Sequence, residues 1–450
     1  MHEMRHIGIF SEGTDAEDAS DPPENTQPAP PKSALIGAPR ALFVAPYSGL
    51  DNHHGFRRMS RFAGWLRDSG WNSQAISSRS TGWSQLARCL EIRDPFGLWG
   101  PNPIRTDAPV APARGARSWK SGLGRYCIPD ASIGWAMRVA ASTEANRLAA
   151  SADLIISSSP PEATHLATAL LGRRNGRPYL IDLRDGWLDE PLKEILVTST
   201  FRRAIEGQLE RWILGGAAAV TVTSRGWRDA LLERYPSLRS RTHVVPNTFG
   251  IEHPQRRGEN GAPTRQRWLY AGRFAGSRST STPVPLFNIL EREARLAHLP
   301  IELRFVGHLT PVELQAVDVL NRRMRLFGSS AVVIGDILHA ASVEEIASAD
   351  ALLLLCNSHC AIPAKLCEYV SAGAPILAVC RRGSATWEMC GNIPQALRVD
   401  CADDASQVAF GEFARSCPRP SIPTQLNHES VGAAFCDLAK SLIGTRASHH

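Results

Sequence analysis

Lys365 and Glu368 stand three residues apart in the run Ile362-Pro363-Ala364-Lys365-Leu366-Cys367-Glu368-Tyr369-Val370-Ser371-Ala372-Gly373-Ala374-Pro375-Ile376. The run reads as a loop, a short helix, a stop and a new strand. Apolar runs of buried-strand length flank it, Ala351–Leu355 before and Ile376–Val379 after. Gly373 sits where a helix takes a left-handed terminal residue, and Pro375 keeps the helix from continuing. The expected unit is β-α-β in a parallel sheet, with the helix N-terminus at a strand's carboxyl end. Open α/β sheets bind ligands there, and a helix N-terminus favours anions. A lysine in the first helical turn opposes the helix dipole. Its presence makes sense if a phosphate sits beside it; the alternative is a plain ion pair with Glu368. Both stay open on the residues alone.

A second anion-friendly loop is Gly272-Arg273-Phe274-Ala275-Gly276-Ser277-Arg278, after the apolar run Arg267–Ala271. Gly272 lets backbone N–H groups approach an anion closely. Arg273 and Arg278 can clamp a diphosphate by forked hydrogen bonds, or be ordinary solvated arginines. On the facing side stand two groups. Asp182, Arg184 and Asp185 lie just beyond or at the end of a buried strand, and either meet an acceptor hydroxyl or form an internal ion pair that holds the loop. Asp51, His53 and His54 lie in a polar loop, where the histidines either bond a sugar and assist proton transfer or are structural.

Those residues need a scaffold. Short apolar strands are expected at Ala41–Ala45, Trp71–Ile76, Tyr179–Asp182 and Ala217–Val222, and Asp153–Pro161 reads as a strand ending in small polar residues. Helices are expected between them, at Phe56–Ser69, His165–Leu171 and Phe201–Leu214, with Thr223-Ser224 as a helix cap. Glu252–Thr264 is charged and glycine-rich, a natural linker. The pattern then restarts with strands at Arg267–Ala271, Ile301–Val306 and Ala331–Ile334, and a helix at Val284–Leu296. Ser342-Val343-Glu344-Glu345 spells a capping box that opens another helix. Glu429–Ile443 reads as a helix able to pack on either half. The alternation implies α/β architecture with two doubly wound parallel sheets whose strand-end loops meet across a cleft. The expected domains are a leader at 1–38, an N-terminal domain at 39–250, a C-terminal domain at 251–421, and a terminal helix and tail at 422–450.

The composition narrows the class. The chain has 450 residues, with 50 Lys+Arg against 44 Asp+Glu, a net charge of +6. That balance is too weak to imply nucleic acid, and the aromatics show no base-stacking pattern. The ten cysteines contain no C-x-x-C pair, so neither a disulfide framework nor a zinc ribbon is expected. Cys356, His359, Cys360 and Cys367 cluster around the Lys365 loop without a familiar metal spacing. No 18-residue apolar run suggests a spanning helix, and Met1–Arg40 has no continuous apolar core of a signal peptide. Instead, six acidic residues between Glu12 and Glu24 and a proline-rich stretch suggest a disordered leader. A cytoplasmic location follows as the expectation. Arg105–Arg125 holds Arg114, Arg117 and Lys120 around Trp119, either a peripheral contact with an anionic inner membrane face or a solvated loop. No P-loop, G-x-G-x-x-G or hydrolase triad order is present.

Five motifs in order carry a family resemblance: Ser158-Ser159-Pro160-Pro161, Asp182-Leu183-Arg184-Asp185-Gly186-Trp187, Pro246-Asn247, Tyr270-Ala271-Gly272-Arg273, and Pro363-Ala364-Lys365 through Pro375-Ile376. Ile128-Pro129-Asp130 with Gly134-Trp135 adds to them. Over roughly residues 40–400 the chain resembles GT-B glycosyltransferases of the retaining, sucrose-synthase-like family (glycosyltransferase family 4-like). The resemblance implies two Rossmann-like domains facing a central cleft, the N-terminal one for a glycan or lipid-linked acceptor and the C-terminal one for a UDP- or GDP-sugar donor. It implies hexosyl transfer with retention in polysaccharide or glycoconjugate biosynthesis, with no metal or separate cofactor. Arg273 then takes the diphosphate-binding position and Arg278 stands where the family has lysine. Lys365 joins Arg273 in catalysis. Glu368 meets the donor ribose, and the backbone from Cys360 to Pro363 meets sugar and phosphates. The family has an acidic residue where this chain has Cys360, which motivates an alternative: a non-catalytic GT-B protein that binds a nucleotide or glycan as partner or regulator. A sugar-nucleotide epimerase is a third reading, since it also uses two facing α/β domains.

Overall fold

A computed structural model of the chain describes residues 37–48, 54–95, 127–190, 199–248, 264–272, 274, 283–337, 339–404, 407–416, 422–423 and 426–444. Most of the leader, the Arg105–Arg125 stretch, the linker before Thr264, and Asp51, His53, Arg273 and Arg278 lie outside the described residues.

The first half builds one sheet from Arg40–Val44 (β1), Asn72–Ser77 (β2), Arg88–Glu91 (β3), Leu154–Ser159 (β4), Tyr179–Leu183 (β5), Ala219–Val222 (β6) and Thr242–Val244 (β7). Its order is β3-β2-β1-β4-β5-β6-β7, and every pair is parallel. The helices around it are His54–Asp68 (α1), Ile133–Ala141 (α2), Thr143–Ser151 (α3), Ala163–Arg174 (α4), Thr200–Gly215 (α5) and Arg225–Arg234 (α6). Strand residues alternate between two apolar clusters, one per face. Leu42, Val44, Ile155 and Ile181 go to the first, and Phe43, Leu154, Ile156 and Leu180 to the second. A parallel sheet buried on both faces needs this unbroken apolar content.

The second half repeats the design with Gln266–Ala271 (β8), Ile301–Val306 (β9), Ser330–Gly335 (β10), Ala351–Cys356 (β11), Ile376–Cys380 (β12) and Ala396–Asp400 (β13). Their order is β10-β9-β8-β11-β12-β13, again all parallel. The helices are Val284–Leu296 (α7), Pro311–Arg325 (α8), His339–Ser348 (α9), Lys365–Ala372 (α10), Ala385–Gly391 (α11) and Phe410–Arg415 (α12). Two corrections to the sequence reading belong here. Helix α9 begins at His339, before Ser342, because Ala340 and Ala341 extend it N-terminally; Ser342 is interior and caps nothing. The capping box that forms is Thr310 with Glu313 at the start of α8.

The terminal helix His428–Gly444 (α13) settles on the first half, against α1. Phe435 stacks on Phe62 at 4.1 Å, and the Trp65 indole N–H donates to His428 Nε2 at 2.9 Å. The chain thus crosses back and clasps its N-terminal domain with its C-terminal segment.

One buried ion pair ties the first sheet to α1. Asp182 on β5 is fully buried, with Ser158 and Thr221 as its register neighbours on β4 and β6. Both hydroxyls donate to its carboxylate at 2.6 Å. Arg58 of α1 closes the set with a forked contact, Nε to Oδ2 at 2.7 Å and Nη2 to Oδ1 at 2.8 Å. The same guanidinium also donates to the Val245 carbonyl at 2.8 Å and to Asn247 Oδ1 at 3.2 Å. Burial pushes the Asp182 carboxyl up, but Arg58 and the two hydroxyls outweigh it and hold it below the usual carboxylate range. Arg58→Ala leaves that carboxylate buried without its cation. A loss of about 3–5 kcal/mol in denaturant-unfolding stability is expected; a loss below about 1 kcal/mol would show that the pair contributes little.

His165 on α4 is the second buried polar group beneath the sheet's carboxyl edge. It is fully buried, its Nδ1 is 2.9 Å from Ser157 Oγ, and burial pushes its pKa down to about 3 despite nearby Asp182. The unfolded chain therefore binds a proton near pH 6.5 that the folded chain refuses. The stability is present above pH 6.5 and drains away as pH falls towards 3. Glu210, whose pKa burial raises to about 6, acts in the opposite sense over a smaller displacement. The melting temperature of the wild type should drop more steeply between pH 6.5 and 5 than that of His165→Leu, which keeps Glu210 and every other carboxylate. Equal slopes would refute the assignment.

Candidate functional site

Strand order reverses at β1/β4 in the first sheet and at β8/β11 in the second. Loops leaving such a pair diverge to opposite faces and open a crevice at the carboxyl edge, the place where doubly wound sheets bind ligands. Both switch points carry sequence-predicted site residues, and the two sheets present them to each other.

At the second switch point, α10 fastens onto the end of β8. The Ala271 N–H donates to the Tyr369 hydroxyl at 2.8 Å. The Lys365 ammonium donates to the Ala271 carbonyl and lies 4.6 Å from the centre of the Tyr270 ring. Gly272 follows with φ +113°, a conformation that side chains strongly disfavour, and a Cβ there would strike Lys365 Nζ. On its other side the Gly272 backbone meets Gly307 of the next strand end, whose Cβ position is 3.0 Å from the Gly272 carbonyl oxygen. Gly272 and Lys365 therefore converge, with the α10 N-terminus opening beside them. Gly373 ends α10 at φ +73°, the left-handed stop expected from its position.

At the first switch point the Tyr47 hydroxyl donates to the Ser158 carbonyl at 3.1 Å, joining the loop after β1 to the end of β4. Burial raises the Tyr47 pKa, so the phenol stays a neutral donor. Arg184 follows β5. Its Nε is 3.6 Å from Asp185, its carbonyl accepts from Thr223 Oγ1 at 2.8 Å, and its buried Nη1 has no hydrogen-bond partner among the described residues. Of the two alternatives for Asp182, the structure realises the internal ion pair with Arg58. His54 is the first residue of α1.

Contacts between the two halves converge on the same place. Arg57 of α1 reaches Glu368 of α10 at 3.5 Å and donates to His339 Nε2 at 2.7 Å. Burial draws the Arg57 pKa down, Glu368 draws it up, and Arg61 and Arg184 draw it down again, so all four side chains share one electrostatic neighbourhood. Cys367, whose thiol burial pushes up to about 12, is a neutral donor to the Asn247 carbonyl at 3.5 Å. Cys360 turns its carbonyl to the Ser224 hydroxyl, and its Cα lies 2.7 Å from where a Cβ on Gly226 would stand. Position 360 is thus a seam between the domains, where the start of α6 meets the loop after β11. No group of three His, Cys, Asp or Glu side chains able to hold a metal ion forms among the described residues.

Arg57, Arg58, His339 and Ser224 were absent from the sequence-derived site, apart from Ser224 as a cap. A usable signal existed for the first two. The first turn of α1 contains no acid and is followed at once by adjacent arginines, the same dipole-opposing placement that singled out Lys365.

Residues 54–248 match the family model described as the glycosyl transferase 4-like domain. Among solved structures, sucrose-phosphate synthase from Thermosynechococcus elongatus superposes with a TM-score of 0.54 at 15% identity, covering 91% of this chain and 96% of that one. The HepE protein of Anabaena in complex with UDP and glucose gives 0.50 at 14% identity, covering 91% and 98%. The UDP-GlcNAc 2-epimerase of Methanocaldococcus jannaschii gives 0.50 at 11% identity, covering 89% and 99%. No curated protein matches the chain by sequence. At such identities these structures speak for the fold, and the domain match speaks for residues 54–248. With its two doubly wound parallel sheets the chain has the GT-B fold, and within it residues 54–248 match the glycosyl transferase 4-like domain.

Proposed function

We propose that the chain transfers a hexosyl group from a UDP- or GDP-sugar to a glycan or lipid-linked acceptor, with retention, in polysaccharide or glycoconjugate synthesis. The observation that carries this reading is the convergence of Gly272, Lys365 and the α10 N-terminus at the β8/β11 switch point, directly opposite Arg57 of the other domain. A diphosphate leaving group gathers negative charge as the bond to the sugar C1 breaks. Preorganised cations and backbone N–H groups stabilise that charge without reorganising during the reaction. Lys365 supplies one cation, and Arg273 and Arg278, next in the chain after Gly272, are assigned as the others. The helix N-terminus adds its dipole. Glu368 is assigned to the donor ribose, which requires it to exchange its contact with Arg57 for the sugar hydroxyls. The acceptor oxygen bonds to C1, and its proton passes to the departing phosphate. That assignment asks for no separate base, in keeping with Asp182 being consumed by Arg58. Arg184 and Asp185 face the acceptor. Neither a metal nor a cofactor is invoked. The HepE and sucrose-phosphate synthase likenesses support a nucleotide-sugar donor only through the shared fold.

Donor turnover with a panel of UDP- and GDP-sugars tests the reading. Lys365→Ala should lower kcat by about 10²–10³-fold, while Glu368→Ala should weaken nucleotide binding measured by calorimetry. Gly272→Ala should lose both, because its φ of +113° and the nearby Lys365 ammonium leave no room for a methyl group. If UDP and GDP fail to bind, the donor site is misassigned. If a new sugar nucleotide is released with no acceptor present, the protein is an epimerase instead.

A further inference from the structure

We propose that the outward face of α5 docks the protein on an anionic phospholipid surface. The helix carries its charge in a segregated way. Its two acids, Glu206 and Glu210, are both fully buried. Glu206 pairs with Arg202 at 2.9 Å, and Glu210 with Arg234 at 3.1 Å and the Tyr235 hydroxyl at 2.9 Å. What remains outside is apolar, cationic or neutral, with Gln208 and Thr200 the uncharged polar residues. Phe201 is 75% exposed, Ile205 38% and Trp212 40%. Positions 201, 205, 208 and 212 fall on one side at helical spacing, and Arg203 and Arg211 are exposed beside them. No carboxylate lies among the exposed residues of this helix. At its C-terminal end, the Arg173 guanidinium stacks 4.4 Å over the Trp212 ring, and Arg241 donates to the Gly215 carbonyl.

Phenylalanine and isoleucine left in water cost burial energy that a protein without a partner for them forgoes. An aromatic and aliphatic stripe broken only by Gln208 and flanked, on this helix, by arginines matches a bilayer interface. The apolar side chains enter the acyl boundary, the indole sits at headgroup level, and the guanidiniums reach lipid phosphates. A contrasting surface exists in the same molecule. Helix α8 also exposes Val312, Leu314 and Val319, with Leu326 just past its end, but unlike α5 it carries an exposed carboxylate, Asp318. Chain direction gives the α5 surface a use. In a parallel sheet the crossover helix runs back along the strands, so the Thr200 end of α5 lies at the carboxyl edge with Arg184, and Gly215 lies at the far edge. The docking face therefore begins at the rim of the cleft.

Flotation of the full-length chain with vesicles reads this out without any activity assay, so its result is independent of the transfer reading. Binding is expected to vesicles of phosphatidylcholine doped with phosphatidylglycerol, and not to phosphatidylcholine alone. The double variant Phe201→Ser, Ile205→Ser should bind at least about tenfold more weakly. Arg203→Glu with Arg211→Glu should lose about as much or more. The α8 pair Val312→Ser, Leu326→Ser should bind like the wild type, and thermal unfolding will confirm that each variant folds. The proposal is overturned if the wild type ignores anionic vesicles, or if the Phe201/Ile205 variant binds them undiminished. It is also overturned if the chain is a dimer in solution that this variant splits, since a second copy then occupies the face.

Discussion

The fold hangs on the forked contact between Arg58 and Asp182. A carboxylate in the middle of a parallel sheet is costly to desolvate, and Asp182 is tolerated because four donors converge on it. They sit on three elements around it, so the carboxylate fastens β4, β6 and α1 around β5. The guanidinium then carries the connection onward. It holds the chain at Val245 to Asn247, where the first domain ends, and Asn247 accepts from Cys367 on α10 of the second. A line of polar contacts thus runs from the centre of one sheet to the helix that shapes the site on the other.

That line explains why the two switch points keep their mutual position. Each is closed by a tyrosine hydroxyl, Tyr47 at the β1/β4 point and Tyr369 at the β8/β11 point. Each also has a cation near the start of a helix, Arg57 and Lys365, where the dipole disfavours it. The two placements lie close together, Arg57 reaching Glu368, which stands three residues after Lys365. The seam at Cys360 and Gly226 leaves space only for backbone, so the loop after β11 sits tight against α6.

Much of this was legible from residue order. The run Ala351–Leu355 is too apolar and too short for anything but a buried strand, Ile301–Val306 alternates at strand period, and Gly373 with Pro375 marks a helix end by stereochemistry alone. Local spelling misled at Ser342, where two alanines carried the helix past a plausible cap. The site was legible in part. Gly272 and Lys365 stood out because their types are demanded by, or conflict with, their local elements, whereas Pro363 and Glu368 were singled out by the family resemblance. Asp182 was found, but its role was undecided between acceptor and ion pair, because its partner Arg58 lies 124 positions away. Arg57 and His339 escaped notice for the same reason: each is an ordinary surface residue until the other domain arrives.

By itself the sequence determined the alternation of strands and helices, their parallel arrangement in two sheets, and the glycines and prolines that punctuate them. Those features follow from periodicity, chain stereochemistry and hydrophobic burial, all of which act within a few residues of one another. Only the tertiary structure decided that Asp182 is spent on Arg58, that Glu368 meets Arg57, that the terminal helix returns to the first domain, and that α5 shows water a face without a carboxylate. Each of these depends on where a charge or a ring finds its partner in space, and desolvation makes that choice between groups far apart in the chain.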